Sequence, residues 1–250
     1  MTTISSGVLF GGGVILSPPP APPIITSGLI LNLQTAPASG NIWTNQVGGT
    51  NTTISGPTDS ANVTYVSQYG GGIRILTKNR NFFDTGYTAA SFGNTFTMSM
   101  TVAFDQTTSY WATWWGMEKY NATSTGYFAY QNASTSLAIG SGSGANSITF
   151  STLGANIALV NVWDISVSGK TVNYYLNGVW KGAFNLAAEP AGGAGTETLY
   201  FASRHNNAGG SGVNDSAPGT WYSMRAYNRV LSNVEVASNY TSIKAIHGLP

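Results

Sequence analysis

The sequence predicts an all-β fold of antiparallel sheets, on three observations. The chain is a succession of short apolar and mixed runs punctuated by Gly, Asn, Ser and Pro, as strands joined by tight turns are. Two runs alternate with period two: Phe96–Val102 puts Phe96, Met98, Met100 and Val102 on one face, and Val162–Val167 puts Trp163, Ile165 and Val167 on one face. Asn177-Gly178, set between two β-prone runs, is the strongest short hairpin signal in the chain. The polar residues on the opposite faces predict sheets with one solvated side.

Taken in order, strands are expected at Leu29–Leu33, Val63–Val66, Ile73–Leu76, Phe96–Phe104, Trp111–Met117, Tyr127–Tyr130, Leu137–Ile139, Ser147–Phe150, Val162–Val167, Thr171–Leu176, Val179–Ala183, Leu199–Ala202 and Trp221–Tyr227. Ser168-Gly169-Lys170 and Asn177-Gly178 make Val162–Ala183 a three-stranded meander. Glycine-rich stretches at Ser141–Gly144, Ala191–Gly195 and Asn206–Gly212 read as surface loops. One helix is expected. Ser232-Asn233-Val234-Glu235 forms a capping box, in which the Ser232 hydroxyl takes an orphan N–H and Glu235 reaches back. Val236, Tyr240 and Ile243 then share a face at helical spacing, and Gly248 and Pro250 close the helix.

Composition narrows the function classes. Only 8% of the 250 residues are charged and the net charge is +1, so the chain lacks the basic footprint of a nucleic-acid or anionic-membrane binder. A hydrophobic content of 42% excludes disorder throughout. Cysteine is absent, which removes thiol catalysis, Cys-ligated zinc and disulfides.

The N-terminus is organised differently from the rest. No charged side chain precedes Asp59. Residues 1–17 read as an apolar, Gly-rich arm: Ile4, Val8, Leu9 and Phe10, then Gly11–Gly13, then Val14, Ile15 and Leu16. Two short β-prone triplets cannot build a core of their own, and exposed they invite pairing with another chain. These seven apolar residues are therefore the expected assembly contacts, with other subunits or with copies of the same chain. Residues 18–27 form a linker in which Pro18, Pro19, Pro20, Pro22 and Pro23 impose a stiff, extended path, expected to hold the arm away from the domain at 28–250. Met1–Leu16 has no Lys or Arg and its apolar run is interrupted, so it does not read as a secretory signal. No apolar run approaches the ~20 residues of a membrane-spanning helix, so no membrane insertion is expected.

Four segments together resemble the laminin-G-like branch of the concanavalin A-like lectin/glucanase superfamily, in the form found in tailed-phage virion proteins. Gly28–Leu33 with Trp43-Thr44-Asn45 is similar to the family's first strand and tryptophan turn. Phe96–Phe104 resembles a core strand, and Tyr174–Val179 resembles its strand–Asn-Gly–strand hairpin. Ala226–Glu235 resembles the last strand running into a short helix. The resemblance covers roughly 28–250 and implies a jelly-roll sandwich of two antiparallel sheets. It does not by itself fix function, because one fold hosts many.

The chemistry-bearing residues are few. Glycoside hydrolysis needs two carboxylates across the scissile bond, and the Glu-x-Asp-x-x-Glu motif of the superfamily's catalytic members is absent. The nine acids are Asp59, Asp84, Asp105, Glu118, Asp164, Glu189, Glu197, Asp215 and Glu235, and no two lie within seven positions of each other. No catalytic residue is assigned. His205 reads as a loop residue, and His247 is expected to meet the carbonyls at the end of the last helix. Glycan binding uses aromatic faces beside Asn, Asp and Arg. Trp114 and Trp115 are adjacent, so a regular strand must turn one outward. With Arg204, His205, Asn206, Asn207 and Asp215 they form the expected ligand site, on loops distal to the arm. The oxygen-rich residues Asn206, Asn207, Asn214 and Asp215 offer a weak Ca²⁺ site; otherwise no cofactor or metal is expected. The chain thus reads as a non-enzymatic structural protein displayed on a tailed-phage virion surface, as capsid decoration or a short fibre, with host surface glycans as a further partner. A carbohydrate-binding module of a bacterial surface or secreted protein is the alternative, and a glycoside hydrolase the third.

Overall fold

The computed structural model describes residues 20–56, 62–77, 81–105, 112–117, 126–131, 136–140, 152, 154–187, 197–203 and 216–250 in full. It describes the backbone of 9–10, 14–15, 119–120, 132, 141, 144–149 and 205–206. In chain order the strands begin β1 (Leu9–Phe10), β2 (Val14–Ile15), β3 (Leu29–Leu33), β4 (Ile42–Trp43), β5 (Thr52–Ser55), β6 (Val63–Val66) and β7 (Gly72–Ile75). Next come β8 (Phe82–Thr88), β9 (Thr95–Phe104), β10 (Ala112–Gly116), β11 (Lys119–Tyr120), β12 (Tyr127–Asn132), β13 (Ser136–Ser141) and β14 (Gly144–Thr149). The chain ends with β15 (Asn161–Ser168), β16 (Thr171–Leu176), β17 (Val179–Asn185), β18 (Thr198–Phe201), β19 (His205–Asn206), β20 (Gly219–Tyr227) and helix α1 (Asn233–His247).

Two antiparallel sheets pack face to face. The first sheet runs β14-β13-β12-β10-β18-β8-β5-β4. The second runs β17-β16-β15-β9-β20-β7-β6, with β3 pairing the far half of β20 beyond β7. Between them lies one apolar core. Met98, Met100, Trp163, Ile165 and Met224 face in from the second sheet, and Ile54, Phe83, Trp114 and Phe201 from the first. This is the two-sheet sandwich, with one C-terminal helix, that the sequence pattern predicts. Every expected strand overlaps an observed one, and the meander β15-β16-β17 pairs as expected. Ser141–Gly144 is not an open loop: Ser141 pairs with Gly144 and closes the β13–β14 hairpin. Ala191–Gly195 and, of the loop expected at Asn206–Gly212, residues Asn207–Gly212 lie outside the described residues.

Strand β8 was hidden in the sequence by Asp84-Thr85-Gly86, which reads as a turn. The tertiary fold overrides that signal. The Thr85 hydroxyl donates to the Leu199 carbonyl at 2.8 Å. Gly86, at φ +68°, lies so close to Thr50 that a Cβ would collide with its methyl.

The second sheet departs from the expected pattern on its outer face. Thr97, Ser99, Thr101, Asp164, Ser166, Ser223 and Arg225 should have been solvated, yet all are completely buried. Helix α1 lies over them. Val236 packs with Tyr175, Tyr227 and Leu231, and Ile243 with Val162 and Leu249. Tyr240 is half-buried against the β16–β17 turn, where Gly178 leaves room for it. The capping box is present: Glu235 N–H donates to Ser232 Oγ at 3.3 Å, and Ser232 N–H donates to Glu235 Oε2 at 2.8 Å. Arg229 grips the same carboxylate with two bonds of 3.0 and 2.6 Å, which with the cap holds Glu235 down at about 2.

The linker also departs from its expected path. Ile24 and Ile25 pack against the residues beneath α1. The Ile25 N–H donates to Asn239 Oδ1 at 2.8 Å, and Ser242 Oγ donates to the Pro22 carbonyl. Residues 22–25 are thus strapped to the helix rather than held off it. Of the arm, Leu9–Phe10 pair antiparallel with Val14–Ile15. Ile4, Val8 and Leu16 lie outside the described residues.

Beneath α1 two charges share one row of the sheet. Asp164 and Arg225 flank Ser99 on neighbouring strands. Both are wholly buried, and among the described residues no well-aligned hydrogen bond reaches the Asp164 carboxylate beyond the weak pull of Ser99. Burial pushes the Asp164 carboxyl up to about 6, against the opposing pull of Ser99 and Arg225. The Tyr227 phenol beside them, bonded by Asn239 Nδ2 at 2.9 Å, is pushed up to about 12, chiefly by burial. Removing one partner strands the other charge in a dry site. Arg225→Met is therefore expected to lower stability by about 3–5 kcal/mol in urea unfolding at pH 7. Asp164→Asn combined with Arg225→Met should recover a large part of that loss; an additive double variant would show that the two charges do not compensate each other.

Candidate functional site

A cleft of about 600 Å³ opens on the outer face of the second sheet, beside the C-terminal end of α1. Its floor is a row across three strands: Ala103 on β9, Thr220 on β20 and Arg74 on β7. Asp105 follows β9 and pairs with Arg74 at 3.3 Å, both side chains partly exposed. The walls are Gln68, Tyr69, Tyr222 and Leu159. A second depression of about 230 Å³ shares Tyr69, Leu159 and Val160 and continues toward Asn177 and Tyr240.

The two tyrosines are placed by local geometry. The Tyr222 ring lies over Gly72, where any Cβ would be within 2.8 Å of the ring. Tyr69 meets Tyr222 edge-on at 5.5 Å. Tyr69 sits in the 3₁₀ turn Gln68–Gly70 with φ +52° and ψ +39°, a left-handed conformation that a bulky residue adopts only under constraint. The constraint is His247. Its Nδ1 lies 2.7 Å from the Tyr69 carbonyl oxygen, so Nδ1 carries the proton it donates. His247 thus reaches across to the β6–β7 turn, and does not meet its own helix's carbonyls as the sequence suggested. Gly248, at φ +59°, closes the helix with its N–H on Lys244. Burial depresses the His247 pKa and raises that of Tyr222.

Tyrosine faces, a hydroxyl, a primary amide, a guanidinium and a carboxylate line this cleft. It can offer apolar contact together with both donors and acceptors, as a polyhydroxylated ligand requires.

A second polar patch lies on the first sheet. Tyr200 pairs with Asp84 across β18 and β8, and the Phe82 ring meets it edge-on at 4.9 Å. Burial first, then the Asp84 carboxylate and more weakly that of Glu197, raise the Tyr200 pKa. Two acids far apart in sequence thus act on one phenol, which their spacing along the chain could not reveal.

The expected ligand site is not assembled from its tryptophans. Trp114 and Trp115 are both completely buried. The register slips between Thr113 and Trp115 against β12, a bulge that lets two successive side chains turn into the core. Trp114 stacks on Phe104 at 4.4 Å, and Trp115 meets Phe96 edge-on at 5.7 Å. Arg204, Asn207 and Asp215 lie outside the described residues. His205 and Asn206 are not in an open loop: their backbone pairs in parallel with Lys119–Tyr120. Among the described residues no group of three His, Cys, Asp or Glu could hold a metal ion, and no helix is long and apolar enough to cross a membrane. Arg74 and Asp105 were visible in the sequence as isolated charges. Only the register of β7, β20 and β9 brings them together.

His247 gives the fold's stability a pH dependence. A histidine with a depressed folded pKa leaves the unfolded chain binding more protons, so its contribution is complete above its ordinary value of ~6.5 and is lost as pH falls below it. Asp164 acts oppositely between about 6 and its ordinary value of 3.8. In thermal melts from pH 7.5 to 5 the native protein is expected to lose stability relative to His247→Gln; an unchanged difference between the two proteins at all pH values would refute this.

No protein-family model matches the sequence, and no curated protein does. Solved structures do match the fold. A mutant of Trypanosoma rangeli sialidase displaying trans-sialidase activity aligns with TM-score 0.64 at 14% identity, over 88% of this chain and 33% of that one. Domain 4 of AbnA, a GH43 extracellular arabinanase from Geobacillus stearothermophilus, in complex with arabinotriose, aligns with TM-score 0.59 at 14% identity, over 86% of this chain and 98% of that domain. The binding domain of botulinum neurotoxin serotype D aligns with TM-score 0.60 at 12% identity, over 86% and 52%. The chain spans about a third of the sialidase's length. These likenesses show the fold.

Proposed function

We propose that this chain is a non-enzymatic carbohydrate-binding domain whose ligand lies in the Tyr69–Tyr222 cleft. The observation that carries the reading is a tyrosine held in a strained left-handed turn by His247, at the mouth of a cleft floored by Thr220 and the Arg74–Asp105 pair. Strain retained at a surface cleft is what pre-organised binding sites display. The likeness to a whole domain solved with arabinotriose supports the same class. Arg74→Ala is expected to weaken retention in affinity gels containing arabinan, xylan, galactan or glucan by about tenfold or more, since it removes a charge-assisted donor. The purified protein should hydrolyse none of these. Turnover that disappears in Asp84→Asn would instead place a hydrolase at the Asp84–Tyr200–Glu197 patch.

The arm favours a second reading, in which the domain is displayed on a larger particle such as a virion. Its support is the isolated hairpin Leu9–Phe10/Val14–Ile15, too short to hold itself and separate from both large sheets. The solved structures do not bear on that placement. The strap at 22–25 fixes where the arm can be cut. A chain starting at Pro20 should fold with unchanged Tm yet lose self-association or particle binding, whereas one starting at Thr26 should melt lower. Unimpaired assembly of the first truncation, seen by sedimentation and electron microscopy, would exclude an anchoring role.

A further inference from the structure

A second surface has the chemistry of a sugar platform. The described tryptophans Trp43, Trp114, Trp115, Trp163 and Trp221 are all buried, but Trp180 on edge strand β17 is 50% exposed, beside Val179 at 57%. The ring is not loose. Its Nε1–H donates to Asn173 Oδ1 at 3.2 Å on β16, which fixes the indole against the hairpin. With that donor engaged, what remains for a partner is the aromatic face and ring edge. Beside it is the half-buried amide of Asn173, and two positions further along the same face of β16 stands Thr171, whose hydroxyl donates to Asn185 Oδ1 at 3.1 Å. Lys181 is the one charged side chain of β17, and no acid lies on β16 or β17.

Two features argue that this is not a strand edge waiting for another strand. The β16–β17 register slips between Tyr174 and Tyr175, and Gly182, at φ +151°, lets the Tyr174 hydroxyl press against the backbone of the edge strand. A bulge and an edge lysine are the devices that blunt strand addition. Helix α1 covers Tyr175 of β16, but along β17 Val179, Trp180, Lys181, Ala183 and Asn185 stay exposed. A fixed indole flanked by neutral amides and a hydroxyl complements a neutral pyranose or furanose ring, whose C–H face stacks while its hydroxyls bond to the amides.

We propose that the outer face of the β16–β17 hairpin, centred on Trp180 with Asn173, Thr171 and Asn185, is a second binding site for neutral glycan chains, separate from the cleft. The site is independent of the Tyr69–Tyr222 cleft. Two such sites on one domain would raise retention on a polymer well beyond that of either alone.

The test uses the full chain, its Trp180→Ala and Trp180→Phe variants and Arg74→Ala. Acrylamide quenching of tryptophan emission is measured with and without arabinan, xylan, galactan and glucan. At least one polysaccharide is expected to protect the native protein from quenching, and Trp180→Phe should abolish that protected component. Trp180→Ala should lose about tenfold in affinity-gel retention, because a stacked ring is removed. Protection at Trp180 should survive in Arg74→Ala, so failure of the cleft leaves this site standing and the reverse. Absence of protection with all four polymers, or unchanged retention of Trp180→Ala, overturns the proposal. So does a Trp180-dependent dimer in sedimentation, which would make the face a contact between copies.

Discussion

The structure depends on the burial of a polar sheet face. In most antiparallel sandwiches the outer face of each sheet is wetted, so its polar residues need no partner in the protein. Here α1 covers the outer face of the second sheet and closes over Thr97, Ser99, Thr101, Asp164, Ser166 and Arg225. Each of these groups exchanges water for protein contacts. Thr97 illustrates the solution: its hydroxyl lies 2.8 Å from Ser166 Oγ, donates to the Arg229 carbonyl and accepts from the Leu231 N–H. One threonine thereby ties β9 to β15 and to the turn that launches the helix. Ser99, Asp164 and Arg225 are the less satisfied remainder: Arg225 donates through Nη1 to Ser223 Oγ at 3.1 Å, and its charge and that of Asp164 offset each other in part.

The same closure joins the two ends of the chain. Pro22 and Ile25 hydrogen-bond to Ser242 and Asn239 on the helix. Arg229 donates through Nε to the Ser27 carbonyl at 2.8 Å while holding Glu235. The segment that carries the arm is therefore fastened to α1, and force or motion at the arm is delivered to that helix. At its other end α1 delivers His247 to Tyr69. The cleft's shape is thus a consequence of helix docking, not of a free loop.

The two sheets spend their aromatic residues differently. In the first sheet a bulge turns both Trp114 and Trp115 inward, where Trp114 meets Phe104 and Trp163, and Trp115 meets Phe96. Among the described residues, aromatic surface remains at Tyr69 beside the cleft, at Trp180 on the edge of the second sheet, and at Phe82 and Tyr200 on the first. With 8% charged residues, binding on this surface must rely on ring faces, amides and hydroxyls, with few ion pairs. That balance suits neutral, polyhydroxylated ligands and disfavours nucleic acid.

By itself the sequence determined the strands that alternate cleanly, the β15-β16-β17 meander through Asn177-Gly178, and the helix through its Ser232–Glu235 capping box. These signals are local, carried by dihedral preference and by side chains within four positions of each other. Tertiary structure decided the rest. Period-two alternation says which residues share a face but not what lies above that face, so the burial of Asp164 and Arg225 could not be read from it. A one-residue bulge reversed the facing of Trp114, and β8 formed through a turn-like Asp-Thr-Gly because the sheet supplied its partners. The cleft draws on residues 68–74, 103–105, 158–160 and 220–222. Their meeting is fixed by strand order and register across the whole sheet, which no stretch of sequence encodes alone.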